Sequence, residues 1–221
     1  MQIYLHICGF LYTFAQNFRI VEEIYMPMQS IPEEFIQKEF KKLADGIMNH
    51  ICILNGKYEY HPIEIEFYVY TKDHQDIHVY PRNAENPGDL FFHLSGMDIC
   101  FKSSIETGRF GGILIRALER NDGKLIGGPL TCVNEVLNNA DKQTPIHVES
   151  CTHLSHTAEC IGKRKGINQS ESLPDKYWNA NYRYLRDDFH VGDKITMEDE
   201  SFDFKSRTYK KSHKRYYKIE L

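Results

Sequence analysis

The sequence contains no apolar run that approaches the roughly 18 residues needed by a membrane-spanning helix. The apolar stretch from Met1 to Gln16 is interrupted by His6, has no Lys or Arg before its apolar part and lacks a small-residue cleavage site. We therefore expect no secretion signal. Internal repeats and low-complexity linkers are also missing. These absences predict a globular protein that works in the cytoplasm without a membrane partner.

Several motifs that identify common enzyme classes are missing as well. The sequence has no phosphate-binding P-loop, no Gly-x-Gly-x-x-Gly, no Gly-x-Ser-x-Gly and no His-Glu-x-x-His. Phosphate-loop nucleotide chemistry, a serine-hydrolase nucleophile elbow and a zincin-type metal site are therefore unsupported.

The six cysteines are spread along the chain, and without a secretion signal they are predicted to be reduced thiols. One cluster has a metal-like composition: Cys151, His153, His156 and Cys160 offer two thiols and two imidazoles within ten residues. Its spacing is not that of a common zinc finger, and it contains no Cys-x2-Cys knuckle. We expect an ordinary loop there, with no metal and no other cofactor, and keep a metal-stabilised interaction protein as an alternative.

Charge is distributed unevenly along the chain. The net charge of −4 by itself argues against nonspecific nucleic-acid binding. However, the segment from Lys205 to Leu221 holds seven Lys or Arg residues and one acid, which leaves a charge of −10 for the rest of the chain. A basic tail of this kind can follow a phosphate backbone, and it can equally be a solvated, frayed C-terminus.

The remaining pattern predicts a strand-dominated α+β protein. The 14 Tyr and 13 Phe residues favour strands. Apolar residues recur at helical spacing after a capping box at Ser30–Glu33, and a Gly-Pro pair opens a second helix that runs through Leu137. Predicted strands cover 51–54, 63–70, 90–93, 97–101 and 113–118. We expect an N-terminal extension (1–28), a single domain (29–204) and the basic C-terminal tail (205–221).

The clearest strand carries two glutamates on one face. Its apolar residues alternate with Glu64, Glu66, Tyr68 and Tyr70, so the set Ile63, Ile65, Phe67 and Val69 is predicted to face a core. A carboxylate two residues from an aromatic ring can direct an oxygen at a flat ligand that stacks on the ring. The alternative is a solvated strand face with two surface acids.

Arg116 lies within an apolar run and is expected to be at least partly buried. A buried guanidinium needs a carboxylate partner, and Glu64, Glu66 and Asp98 are the candidates in the strand-rich part of the chain. The alternative is an ion pair with a purely structural role.

Six segments occur in a familiar order along residues 40–186. They are Ile63–Tyr68, His78 with Arg82, Leu90–Gly96, Leu114–Glu119, Gly128–Cys132, and finally the pair Arg164–Ile167 and Asn181–Tyr184. In this order the chain resembles the alkyladenine (3-methyladenine) DNA glycosylase family. The resemblance implies a curved antiparallel sheet with a few short helices, in a monomer.

The resemblance also implies a reaction. Enzymes of this family flip a damaged purine out of the DNA duplex and hydrolyse its glycosidic bond with water, without a metal or a covalent intermediate. By resemblance, Glu66 is the general base and Arg116 holds the carboxylate and the water. Tyr68 and His78 sandwich the flipped base, and His93 occupies a second stacking position. The implied function is base-excision repair of alkylated or deaminated purines.

Two positions depart from the family pattern. Ser95 stands where the family has a bulky side chain that fills the gap left by the flipped base, and opening that gap costs a few kcal/mol. Lys102 stands where an asparagine often lies beside the base. These differences favour single-stranded nucleic acid or a modified nucleoside over duplex DNA. The alternative function is a non-catalytic nucleic-acid- or nucleotide-binding module on the same fold.

Overall fold

The computed structural model describes residues 33–151, 155–167, 177–198, 201–203, 208–210 and 214–221. The predicted extension 1–28 and most of the predicted capping box therefore lie outside the described residues. Two helices and thirteen strands occur in the described part: α1 Glu33–His50, β1 Ile51–Leu54, β2 Glu59–Tyr70, β3 Leu90–His93, β4 Gly96–Cys100, β5 Phe110–Arg120, β6 Leu125–Gly127, α2 Pro129–Asn138, β7 His147–Ser150, β8 Ala158–Gly162, β9 Arg183–Arg186, β10 Lys194–Glu198, β11 Ser201–Asp203, β12 Thr208–Lys210 and β13 Lys214–Lys218. Neither helix is both long and apolar enough to cross a membrane.

A nine-stranded antiparallel sheet dominates the fold. Its main path is β3-β4-β5-β2-β1-β7, with β6 paired to β5, β9 paired to β2 and β8 paired to β9. The sheet curls into a half-barrel. The prediction of a strand-dominated α+β fold with a curved antiparallel sheet is confirmed at this level. Strand β2 is the longest element of the sheet, and its neighbours β1, β5 and β9 bring distant parts of the chain beside it.

Helix α1 packs on one face of the sheet through the residues that the helical spacing singled out. Ile36, Phe40, Leu43 and Ile47 are all buried in the main core. The ring of Phe40 stacks on Phe67 of β2, with 4.3 Å between the ring centroids and 5° between the planes. Hydrophobic burial of this apolar stripe is therefore what holds the helix on the sheet.

A double irregularity between β2 and β5 changes which face the side chains occupy. Cross-strand pairing passes over Ile63 on β2 and over Arg116 on β5. Such bulges shift the alternation of side chains by one residue. As a result Tyr60 and Ile65 both join the main core, whereas Ile63 packs in a separate apolar cluster. The predicted common core face for Ile63 and Ile65 is therefore wrong at Ile63.

The end of the basic C-terminal segment belongs to the folded structure. Strand β13 pairs with β10, and Ile219 after it is completely buried. The ring of Tyr217 lies against Gly127, where any Cβ would collide with it. The alternative of a frayed C-terminus therefore does not apply to residues 214–220, because β13 is paired along its length and Ile219 is buried.

Candidate active site

The carboxylate of Glu66 is fully buried, accepts two hydrogen bonds and forms an ion pair with a guanidinium. Its Oε2 accepts the hydroxyl of Tyr68 at 2.9 Å, which lies two residues along β2 on the same face. Its Oε1 accepts the backbone N–H of Lys165 at 2.7 Å and lies 3.2 Å from Nη1 of Arg116. The structure therefore brings Glu66, Tyr68 and Arg116 together, as the sequence analysis expected.

Arg116 bridges two glutamates. Its Nε donates to Glu64 Oε1 at 3.0 Å while its Nη1 faces Glu66. The third candidate partner, Asp98, instead pairs with Arg82 at 2.5 Å and with Nε2 of His93 at 3.1 Å.

Two residues that were not among the predicted site residues complete the network. Nε of Arg183 on β9 donates to Glu64 Oε1 at 2.6 Å, and the hydroxyl of Tyr217 on β13 donates to Glu64 Oε2 at 2.8 Å. Arg183 stands between apolar and aromatic residues, so the burial argument used for Arg116 could have found it. No pattern in the sequence indicates Tyr217.

Burial raises the pKa of the Glu66 carboxyl above its usual value, and the charge of Arg116, the Lys165 N–H and the Tyr68 hydroxyl oppose this rise. Burial also raises the pKa of Tyr68 well above its usual value, so this hydroxyl remains a proton donor to Glu66. A carboxylate that is more basic than in water, and still held as an anion by donors, is suited to accept a proton.

A cleft of about 510 Å³ lies against this network. That volume is in the range of small-molecule sites, which are commonly a few hundred Å³. Four of its lining side chains are aromatic or imidazole rings: Tyr68, His78, Tyr80 and His93. Arg116 and the segment after Arg164 form the wall that contacts Glu66. The cleft can therefore hold a flat ring between ring side chains, next to a buried carboxylate.

The rings of the cleft are held from behind. The guanidinium of Arg164 covers the ring of Tyr68 at 4.5 Å from its centroid, and Arg164 itself forms a buried ion pair with Asp76 at 2.5 Å. Elsewhere in the lining the rings of His93 and Tyr80 lie 4.7 Å apart. These supports restrict ring movement, which is what a stacking site requires.

Six of the seven predicted site residues converge on the cleft. Tyr68, His78, His93, Ser95 and Arg116 line it, and Glu66 lies directly behind Tyr68 and Arg116. The exception is Lys102, which is exposed and is not part of the lining. Lys102 comes directly after the buried Phe101 in the chain. Because successive side chains alternate between the two faces, Lys102 points away from the core.

The predicted metal-like motif does not assemble. His153 lies outside the described residues, while His156 contacts Asp187 at 3.1 Å and Cys160 is exposed near the carbonyl of Asn181. Cys151 has different neighbours on the sheet. The three described members of the motif therefore do not form one tetrahedral set, because strand pairing separates them.

Comparison with known proteins found no matching family model, curated protein or solved structure. The function is therefore inferred from the contacts of Glu66 and from the lining of the cleft.

Proposed function

We propose that the protein is a monofunctional N-glycosylase that removes a damaged purine, alkylated or deaminated, from nucleic acid. The observation that carries this proposal is the buried Glu66 carboxylate, held by Arg116, Lys165 N–H and Tyr68 directly behind the wall of a ring-lined cleft. Base excision by water requires these two elements, a general base beside the sugar carbon and a pocket for a planar base.

The reaction assigns one role to each partner of Glu66. The carboxylate takes a proton from water, the resulting hydroxyl bonds to the sugar carbon, and the carbon–nitrogen bond breaks with its electron pair leaving on the base. Arg116 lies close enough to stabilise the carboxylate and to orient the water. Tyr68 and the Lys165 N–H fix the carboxylate rotamer through hydrogen bonds.

The cleft lining supports a purine as the bound ring. Tyr68 and His78 line the cleft with Tyr80 and His93, and stacking of a base on such rings contributes about 1–3 kcal/mol per base. Arg82 and Asp98 in the same lining form an ion pair that can present polar atoms to a base edge. The combination of stacking walls and polar edges is typical of base recognition.

Two surface features support a polymer substrate over a free nucleoside. Leu94 at the tip of the β3–β4 hairpin is 90% exposed beside Ser95, which lines the cleft. On β13, Lys214, Arg215 and Lys218 are exposed, and this strand contacts the site through Tyr217. An exposed apolar tip can occupy the gap left by a flipped base, and a basic strand can follow phosphates.

We expect Leu94→Ala to slow excision from duplex DNA about 10-fold while leaving excision from a single strand unchanged. Filling the gap in a duplex is the step that the leucine assists, and about 1.4 kcal/mol corresponds to this factor. Single-turnover rates on matched single- and double-stranded oligonucleotides measure it. The control is Leu137→Ala, an exposed leucine on α2. An equal effect on both substrates contradicts a wedge role for Leu94.

The proposal is tested by single-turnover excision from single- and double-stranded oligonucleotides that carry hypoxanthine, ethenoadenine or a methylated purine. Release of a base from any of them supports the proposal, and the strand preference identifies the polymer. No excision from either form, together with binding that weakens steeply as salt rises, supports the non-catalytic binding module instead.

The pH dependence of excision provides a further prediction. Glu66 must be ionised to accept a proton, so the rate falls as the pH decreases through its pKa, which burial raises. We expect the acid limb to lie above the usual carboxyl value of about 4.3. Tyr68→Phe removes a hydrogen bond that lowers this pKa, so it should move the limb to higher pH. A limb that does not move in this variant contradicts the assignment of Glu66.

A further inference from the structure

A second cluster of reactive side chains lies at the other end of β2, away from the cleft. It contains Cys52 on β1, Glu59 and His61 on β2, and Cys151 directly after β7. Glu59 precedes Glu66 by seven residues, so the cluster is roughly 20 Å from the catalytic carboxylate along an extended strand. The proposed excision reaction uses none of these four residues.

Pairing of three strands brings the cluster together. Strand β1 lies between β2 and β7, with Leu54 opposite Glu59 and Cys52 opposite Glu149. The same register places His61 beside Cys52, and the backbone N–H of Cys151 donates to the carbonyl of His50. The side chains of the cluster share the sheet face opposite to the core residue Ile53.

Three of the four side chains lie close together, and His61 adjoins two of them. The two thiol sulfurs and a Glu59 carboxylate oxygen all lie within 4.8 Å of one another. Nε2 of His61 lies 3.0 Å from Oε1 of Glu59, and the imidazole also contacts the Cys151 thiol. Cys52 is buried, whereas the Glu59 side chain is 33% exposed. An ion could therefore reach the cluster from the Glu59 side.

We propose that Cys52, Glu59, His61 and Cys151 bind one zinc ion. Zinc takes four ligands in a tetrahedron, with sulfur at about 2.3 Å and nitrogen or oxygen at about 2.0–2.2 Å. Ligand atoms are then about 3.3–3.8 Å apart. The two sulfurs and the Glu59 oxygen, which lie within 4.8 Å of one another, therefore need to approach by about 1 Å or less. Two thiolates with an imidazole and a carboxylate are a borderline-soft donor set that suits zinc. Binding releases the thiol protons to solvent.

The expected role of the ion is to fasten the edge of the sheet. Strand β7 has four residues and, among the residues that the structure describes, pairs with β1 alone. A zinc ion would tie Cys151, at the end of β7, to side chains on both β1 and β2. Zinc should therefore raise the thermal midpoint of unfolding, and it should do so whether or not the protein excises bases.

The experiment uses the full chain, purified and kept under a thiol reductant. We expect equimolar zinc by elemental analysis, a higher thermal midpoint with zinc than after chelation, and a thiolate-to-cobalt charge-transfer band when Co²⁺ replaces zinc. Cys151→Ser should lose its zinc, and with Co²⁺ in excess it should show at most the part of the thiolate band that the remaining sulfur supplies. Glu59→Gln is a milder second variant. We expect a chelator to remove zinc from it at a lower concentration than from the wild-type protein.

Cys160→Ser is the matched control, because Cys160 is the other thiol of the sequence motif and is exposed at a different place. It should retain zinc and the wild-type cobalt spectrum. Loss of zinc in Cys160→Ser, or retention in both Cys52→Ser and Cys151→Ser, overturns the proposal. So does a reduced wild-type protein that neither contains zinc nor changes its thermal midpoint when Zn²⁺ or Co²⁺ is added.

Discussion

Glu66→Gln is expected to reduce single-turnover base excision about 10²–10⁴-fold, the range that a general base contributes. The amide has nearly the same shape: its oxygen can accept the Lys165 N–H, and its NH2 group can donate to the oxygen of the Tyr68 hydroxyl. It cannot take a proton from water at neutral pH, so excision is lost even where the variant remains folded. The measurement is the excision rate at saturating protein on the best oligonucleotide substrate.

The matched control is Glu106→Gln, an exposed glutamate that does not line the cleft. It should excise at the wild-type rate. Binding of the substrate oligonucleotide should survive Glu66→Gln, because the cleft rings and the basic strand β13 are unchanged. A Glu66→Gln protein that is folded and excises within a factor of about three of wild type contradicts the assignment of Glu66 as the general base.

Glu64→Gln is expected to destabilise the fold by about 3–5 kcal/mol, the cost of breaking a buried ion-pair network on one side. Arg116, Arg183 and Tyr217 all donate to this fully buried carboxylate. In the wild-type protein the guanidinium groups of Arg116 and Arg183 balance the carboxylates of Glu64 and Glu66. Removing one carboxylate charge leaves a buried positive charge without compensation. The free energy of unfolding, from urea titration, measures the change.

Glu106→Gln again serves as the control, with an expected change within about 0.5 kcal/mol. Glu64→Gln should also slow excision, because Arg116 loses the partner that orients it toward Glu66. A Glu64→Gln protein as stable as the control would contradict the expected role of this ion-pair network. It would mean that water already screens these charges, although the side chains are buried. The urea titration and the excision assay can thus separate a stability defect from a catalytic one.

Local patterns in the sequence determined most of the elements around the site. Helical spacing identified the buried face of α1, because a helix returns to the same face every three or four residues. Strict alternation identified β2 and placed Glu66 and Tyr68 together on one face. The apolar neighbours of Arg116 showed that it needs a carboxylate, because an unpaired buried guanidinium is too costly to keep.

The tertiary structure alone decided which partners these residues take. Arg183 and Tyr217 reach Glu64 from 119 and 153 residues away along the chain, a separation that no local pattern encodes. The irregularity at Arg116 also depends on how β2 and β5 pair, and it shifts the faces of both strands. Strand pairing likewise brings Cys151 beside Cys52 and away from Cys160. Periodicity shows which face of an element is buried, but only packing shows what it is buried against.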